Sequence, residues 1–393
     1  MTKLPYETSE EAVAIARELA PKLSERVAEA DELRRMPDGS VQDLLDSGLI
    51  MLEAPKRYGG AELNLDSQIE VSAALAEGCG ASGWVHSLWA AHLWLIGHYP
   101  EHIQEQVFSD PRPLVSSVVN TVGTPTKVDG GYLWTGRGFF SSGVDHCTWL
   151  TAAVDLKPDE PPGDRRWFLL RREDFEIVDD WKTVGLRGSG SKTIEFKDLF
   201  VPEERNLVAK DLADGNGFGA TLHGSPLYRA SMDFTFSLPL GAASVGIARS
   251  MISVLAGRIR TRLESANYRV ASEQSGTLQR IAEAGAMIDA GEALMVNTAR
   301  KFCFIPASQA TPLDKAECRR NRAYATQMCR HAANSLFEAS GGSNVYENTD
   351  LQRLWRDANV ASQHRGSTWD VQGLNYGREL VGLAPAWMEG ISV

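Results

Sequence analysis

The feature that most restricts the fold is an interruption. For about 110 residues apolar side chains recur at helical spacing. From Leu114 to about residue 207 the chain breaks into short β-branched and aromatic runs, and from about residue 227 helical spacing returns. In the first part Ala12, Ala16, Leu19 and Leu23 mark one helix, Pro37 and Asp38 interrupt, and Val41, Leu44, Leu45 and Leu49 mark a second. A loop, MLEAPKRYGGAEL, leads into strongly apolar helical sequence over 65–110. The middle part reads LVSSVV, TKVDGGYLWTGRGFF, WLTAAVDL, RWFLLRR, FEIVDDW and SKTIEFKDLFVP, with Asp129-Gly130-Gly131 as a hairpin signal. Strands at this spacing predict a small antiparallel barrel or sandwich, with the β-barrel as the expected form. A Gly-rich loop follows over 208–225. Helices over 239–265, 276–302, 313–340 and 348–384 then predict a four-helix bundle. The expected class is α+β, with domains at 1–113, 114–225 and 226–393.

Composition narrows the partners. A chain of 393 residues that is 43% hydrophobic can bury several cores, and a net charge of -11 disfavours nucleic acid or an anionic membrane surface. No uninterrupted apolar run approaches the roughly 18 residues of a membrane span. The opening residues are Glu-rich and show no signal-peptide core. Cys79, Cys147, Cys303, Cys318 and Cys329 are scattered and odd in number, which suits free thiols in a reducing cytoplasm rather than a disulfide frame or a zinc site. There is no H-E-x-x-H, no Walker motif and no Rossmann fingerprint. The loose Gly188-Ser189-Gly190 is not set as a nucleophile elbow.

Four stretches, in order, carry a resemblance. They are Leu45-Asp46-Ser47-Gly48-Leu49 with Pro55 to Gly60; Gly136 to Gly143; Val184 to Ser191 with Phe196 and Val201-Pro202; and Ser340-Gly341-Gly342 with Arg353 and Arg356-Asp357. Together they resemble the acyl-CoA dehydrogenases, whose α–β–α order matches this chain. One departure matters. Where many of those enzymes carry a Tyr-Glu-Gly-Thr stretch with a catalytic Glu, this chain has His364-Arg365-Gly366-Ser367, and an arginine cannot serve as that base. The stretch resembles instead a sister group, the oxygenase components of two-component flavin monooxygenases. Ser142-Gly143-Val144-Asp145-His146-Cys147 with Trp149, Gly83-Trp84-Val85 with His92, and His364 carry that likeness.

The resemblance implies hydroxylation of an aromatic or indole-like small molecule, using O2 and FAD as FADH2, with FMN as the alternative, through a peroxide at flavin carbon C4a. With no NAD(P)H motif in the chain, a separate NAD(P)H-dependent reductase would supply the flavin. It also implies a homotetramer. His364 is the expected base and His92 the expected orienting or donating group. Ser141 or Ser142 would support flavin N5, with Ser141 favoured. Phe139 and Phe140 alternate on a strand, so one is expected to face the flavin. Trp84, Asn120, Phe139, Gly143, Trp181, Glu338, Gly341 and Gly342 complete the expected cofactor set, the last three reaching a neighbouring subunit's flavin. A flavin-contacting arginine lies among Arg258, Arg260, Arg262 and Arg269. The rival readings are an acyl-CoA dehydrogenase with a relocated base, an N- or S-oxygenase of the same fold, and a non-catalytic binding protein.

Overall fold

A computed structural model describes residues 3–157, 164–236, 238–265 and 275–386. Six helices open the chain: α1 (Ser9–Glu25), α2 (Val27–Leu33), α3 (Asp38–Asp46), α4 (Leu65–Gly78), α5 (Gly80–Ile96) and α6 (Glu101–Phe108). Thr8 starts α1 with a reciprocal cap: its hydroxyl accepts from the Glu11 N–H, and the Glu11 carboxylate accepts from the Thr8 N–H. In α5 every residue except Leu88 is buried. Such a helix has no solvent face and must lie at the centre. It packs against α4 and against the C-terminal helices and first strand described next.

The strands are β1 (Val115–Val118), β2 (Asn120–Val122), β3 (Thr126–Val128), β4 (Gly131–Ser141), β5 (Trp149–Asp155), β6 (Arg165–Arg171), β7 (Glu176–Val178), β8 (Lys192–Pro202) and β9 (Asn206–Val208). The β3–β4 hairpin closes at Asp129-Gly130, with Gly130 at φ 72°. Among the described residues the strands close no barrel. The described strands make two open sheets, one in the order β1-β5-β6-β9 and one in the order β2-β4-β8-β7 with β3 on β4. The β1–β5 pair is parallel. One residue, Val119, separates β1 from β2, and the chain changes sheet there, so the ladder cannot continue round. Successive side chains of β1, β5 and β6 are buried on alternate faces of the sheet. Val118, Leu150, Ala152 and Phe168 fill the space between the sheets with Trp134, Ile194 and Phe196. Val115, Trp149, Ala153, Trp167 and Leu169 face the helical core.

Over 208–225, expected as loop, the chain forms α7 (Ala209–Asp214) and α8 (Gly219–Leu222). Then come α9 (Met232–Thr235), α10 (Ala242–Ser265), α11 (Ser275–Phe302), α12 (Pro312–Ala339), α13 (Asp350–Ala361) and α14 (Trp369–Leu380). The last expected helix is therefore two, parted by a turn over 362–368 that carries His364. Within Met232–Glu264 an 18-residue window is apolar enough to cross a membrane, but 72% of that window is buried inside the protein, where α10 packs on α4, α5 and α13. All five cysteines are buried free thiols.

Candidate active site

Trp84, Leu88 and His92 stand four residues apart on α5 and so form one stripe, about 12 Å long, on a single helix face. Each end of the stripe is tied to the β region. Trp84 Nε1 donates to Ser142 Oγ at 3.2 Å. His92 Nδ1 meets the Val115 carbonyl oxygen at 2.7 Å. A carbonyl only accepts, so His92 carries its proton on Nδ1 and presents a lone pair at Nε2. Phe236 stacks on the His92 ring at 5.4 Å, and Trp167 meets Phe236 edge-on at 5.0 Å. The sheet face opposite carries Ser117 and Thr151, which are register partners on β1 and β5, and Trp167 on β6. Their polar side-chain atoms are buried and make no hydrogen bond to protein. Three such atoms on one face cost about 1–3 kcal/mol each unless a ligand or water meets them.

The end of β4 explains why the two serines differ. Between the pairs Gly138↔Ile194 and Ser141↔Lys192 the register shifts: two residues of β4 oppose one of β8. Phe140 takes φ 65° in this bulge and its ring is 65% exposed. The bulge ends simple alternation, and both following serines turn inward. Ser141 is fully buried, its hydroxyl 2.8 Å from that of Ser116, between the sheets. Ser142, 5% exposed, lies under Trp84 and bonds to Ser191 Oγ at 2.7 Å; Ser191 in turn meets Ser189 at 2.7 Å. Ser141 was the serine favoured for the flavin contact, and the structure separates the two. Ser142 shares the Trp84 space, and Ser141 does not. Gly143 turns the chain at φ 70°, where a Cβ would lie 2.8 Å from the Trp89 indole.

His364 completes this end. Its ring centre is 6.0 Å from that of Trp84. His364 Nδ1 accepts from the Gly366 N–H at 3.1 Å. The neutral ring therefore bears its proton on Nε2, the opposite tautomer to His92. Burial, with Arg322 nearby as a second cause, pushes its pKa down to about 4. Burial likewise brings His92 to about 4. Both rings are neutral at pH 7, one accepting and one donating at Nε2. His364 was expected to be the base. In the structure its Nδ1 accepts from Gly366, so its remaining nitrogen carries the proton, whereas the remaining nitrogen of His92 bears a lone pair.

The remaining expected residues fall in two groups. Phe140 meets Trp181 edge-on at 6.2 Å, and Trp181 Nε1 donates to the Leu186 carbonyl oxygen. Asn120 is exposed on β2, paired with Phe139, whose ring lies under the Arg137 guanidinium. The loop before β8 is pinned from outside: the Leu186 N–H donates to Asp357 at 2.6 Å, and Arg356 donates to the Val184 carbonyl. Glu338, Gly341 and Gly342 form the second group, at the end of α12. Glu338 pairs with Arg280 there, and Gly341 takes φ 82°. Beside them a cavity of about 570 Å³ is bordered by Arg258, Arg262, Ser340 and Asn344. Arg269 lies outside the described residues. His146 bonds to the Met36 carbonyl and Arg35 and serves the scaffold.

A flavin fits this arrangement. The exposed Phe140 ring, with Trp181 edge-on to it, offers an apolar face to a planar ring, Ser142 offers a buried hydroxyl beside Trp84, and the arginine-bordered cavity suits a phosphate-bearing group. Sequence reasoning named neither Phe236 nor Arg322. Phe236 gave no signal. Arg322 did give one, because it falls in phase with Cys318, Ala325 and Cys329 on the apolar stripe of α12, where a charge is unusual.

Comparison with known proteins agrees. The acyl-CoA dehydrogenase N-terminal domain model matches residues 7–108, and the C-terminal domain model matches 238–369. These matches define the class, an acyl-CoA dehydrogenase-like fold. The chain is 31% identical over 98% of its length, and 99% of the relative's, to the flavin-dependent monooxygenase oxygenase subunit HsaA of Mycobacterium tuberculosis. It is 30% identical to the oxygenase component of p-hydroxyphenylacetate 3-hydroxylase of Acinetobacter baumannii, over 94% of this chain and 88% of that one. The solved 3-HSA hydroxylase from Rhodococcus sp. RHA1 superposes with a TM-score of 0.90 at 30% identity, covering 96% and 97% of the two chains. XiaF from Streptomyces sp., solved with FADH2 and glycerol, gives 0.86 at 26%, covering 96% of each. Within the acyl-CoA dehydrogenase-like class the chain belongs to the family of oxygenase subunits of flavin-dependent monooxygenases, and it is an oxidoreductase.

Proposed function

We propose that this chain hydroxylates a small phenol or indole-like molecule between α5 and the first sheet, with His92 as proton acceptor and His364 as hydrogen-bond donor. The observation that carries the reading is the opposite polarity of these two neutral rings, each fixed by a backbone bond. Reduced flavin, when bound, supplies the electrons that activate O2 as an electrophilic oxygen donor. Trp84 and Ser142 would hold its ring edge. Phe140, Trp181 and Asn120 would flank the ring, an arrangement that suits FAD or FMN equally; the arginine-bordered cavity favours FAD.

His92 is a weak base, so it does not strip a free phenol of its proton in advance. As a ring carbon gains oxygen, the phenol O–H becomes strongly acidic, and Nε2 of His92 then takes that proton. His364 Nε2–H can stabilise negative charge on oxygen at the Trp84–Ser142 end. Phe236, Trp167 and Leu88 keep the space dry, which limits wasteful release of hydrogen peroxide. The orphan hydroxyls of Ser117 and Thr151 give a polar substrate group partners on the opposite wall.

The relatives' names support a separate NAD(P)H-dependent flavin reductase as partner. A homotetramer fits Tyr346, Leu374, Leu380, Val381 and Leu383, large apolar side chains exposed on the C-terminal side, with the Glu338–Gly342 turn serving a neighbour's flavin. Five buried thiols suit a cytoplasmic protein. The test supplies chemically reduced FAD or FMN, O2 and a panel of phenols and indoles, and follows products by mass spectrometry. A gain of one oxygen atom is expected. Flavin oxidation to hydrogen peroxide alone across the panel, with no substrate oxygenated, would overturn the reading.

A further inference from the structure

Arg322 is the most buried cation near the site, 2% exposed on α12. A guanidinium taken out of water must be held by several partners. Two of its donors go to one peptide carbonyl: Nε donates to the Gly366 oxygen at 3.0 Å, and Nη2 donates to the same atom. Gly366 belongs to the short turn that carries His364. Its own N–H donates to His364 Nδ1 at 3.1 Å. The glycine is wedged between the two side chains: a Cβ there would lie 2.8 Å from Arg322 Nη2 and 3.1 Å from His364 Nδ1. The charged and titratable groups packed about Arg322 are Cys318 and Arg319 on its own helix, Asp233 on α9 and His364 on the turn; Asp233 is paired with Arg319 and Lys315.

We propose that Arg322 is a positioning residue that, by fixing Gly366, locks His364 as the neutral tautomer with its proton on Nε2. The guanidinium sets the plane of the turn, the turn aims the Gly366 N–H at Nδ1, and that bond leaves Nε2–H as the donor of a ring whose centre is 6.0 Å from that of Trp84. A positive charge behind the ring also opposes a second proton. The orientation is set before any ligand arrives, so no reorganisation is needed when charge develops on oxygen. The inference deepens the reading above, in which His364 faces the reacting oxygen.

The test has a readout independent of turnover. In protein labelled with ¹⁵N-histidine, the His364 ring signals, identified by their loss in His364→Ala, report which nitrogen carries the proton. The wild-type chain is expected to show a protonated Nε2 and a bare Nδ1 at neutral pH. A proton on Nδ1, or an imidazolium, overturns the proposal whatever the activity. Arg322→Met should give mixed tautomers and roughly 10–100-fold less product per flavin oxidised, the scale expected when a reacting group loses its aim. Arg322→Lys should recover part of both. If Arg322→Met fails to fold, Gly366→Ala, which pushes the same two side chains apart, provides the second variant. An unchanged His364 tautomer in a folded Arg322→Met protein also refutes the idea. Failure of hydroxylation in every variant and in the wild type would count against the proposed function, while the ring signals would still decide this point.

Discussion

His92→Asn separates the two bonds that His92 makes. The shorter amide can place its nitrogen where Nδ1 lies and keep the donation to the Val115 carbonyl, now 2.7 Å long, but it has nothing at the position of Nε2. Stability should therefore fall by no more than about 1 kcal/mol. Oxygen transfer should fall by roughly 10²–10⁴, the usual value of a placed proton acceptor, equivalent to about 3–5 kcal/mol on that step. His92→Phe gives the contrast. It keeps the stack on Phe236 but leaves the buried Val115 carbonyl without its partner, and should cost about 1–3 kcal/mol of stability as well. The assay measures hydroxylated product and hydrogen peroxide per flavin oxidised, with urea unfolding alongside. Product should collapse and peroxide rise in both variants, with only His92→Phe markedly less stable. Wild-type product yield in His92→Asn would refute the assignment of His92 as acceptor. So would a parallel fall in product and flavin oxidation, which would place the residue in flavin handling.

Three further outcomes follow from the same geometry. Ser142→Ala should lower product per flavin and weaken flavin binding, whereas Ser141→Ala should chiefly cost about 1 kcal/mol of stability; equal loss of product in both, measured side by side, would contradict the bulge argument. Gly143→Ala must adopt φ 70° and displace the Trp89 indole, so a loss of roughly 2–4 kcal/mol is expected in urea unfolding, and a loss below about 0.5 would show that the turn relaxes freely. His86, His92 and His364 are each pushed down to about 4 and His98 to about 3, chiefly by burial; at these sites the unfolded chain binds more protons from pH 6.5 downward, so their contribution is flat above that and falls by roughly 3 kcal/mol per histidine by pH 4, partly offset by Asp357 and Glu53, whose raised values act in the opposite sense. A melting temperature unchanged between pH 7 and 5 would refute that sign.

The helix–strand–helix order was legible because it rests on local periodicity, which side-chain burial enforces residue by residue. Sheet closure was not. Whether β1 continues to a neighbour or the chain crosses to a second sheet depends on one residue, Val119, whose side chain carries no signal for either. The broken last helix shows the same limit. Residues 348–384 keep a helical texture throughout, and the buried Arg322, over 40 positions earlier in the chain, supplies the partner of the Gly366 carbonyl in the turn.

The site divided along the same line. Residue types could be named from motifs, since a tryptophan and a histidine eight apart on a helix must share a face. Roles could not, because a histidine's role is set by what its other nitrogen meets. His92 and His364 are chemically identical in sequence, and the likeness to known enzymes made His364 the base. Val115 contributes a carbonyl to one ring and Gly366 an N–H to the other, and the proposed exchange of roles rests on these two backbone groups. Ser141 and Ser142 follow the same logic: period two assigns them to opposite faces, and one extra residue in β4 brings both inside but only Ser142 under Trp84. Function here turns on backbone groups that every residue possesses. Side-chain identity proposes the chemistry, and the placement of a few peptide bonds decides which atom performs it.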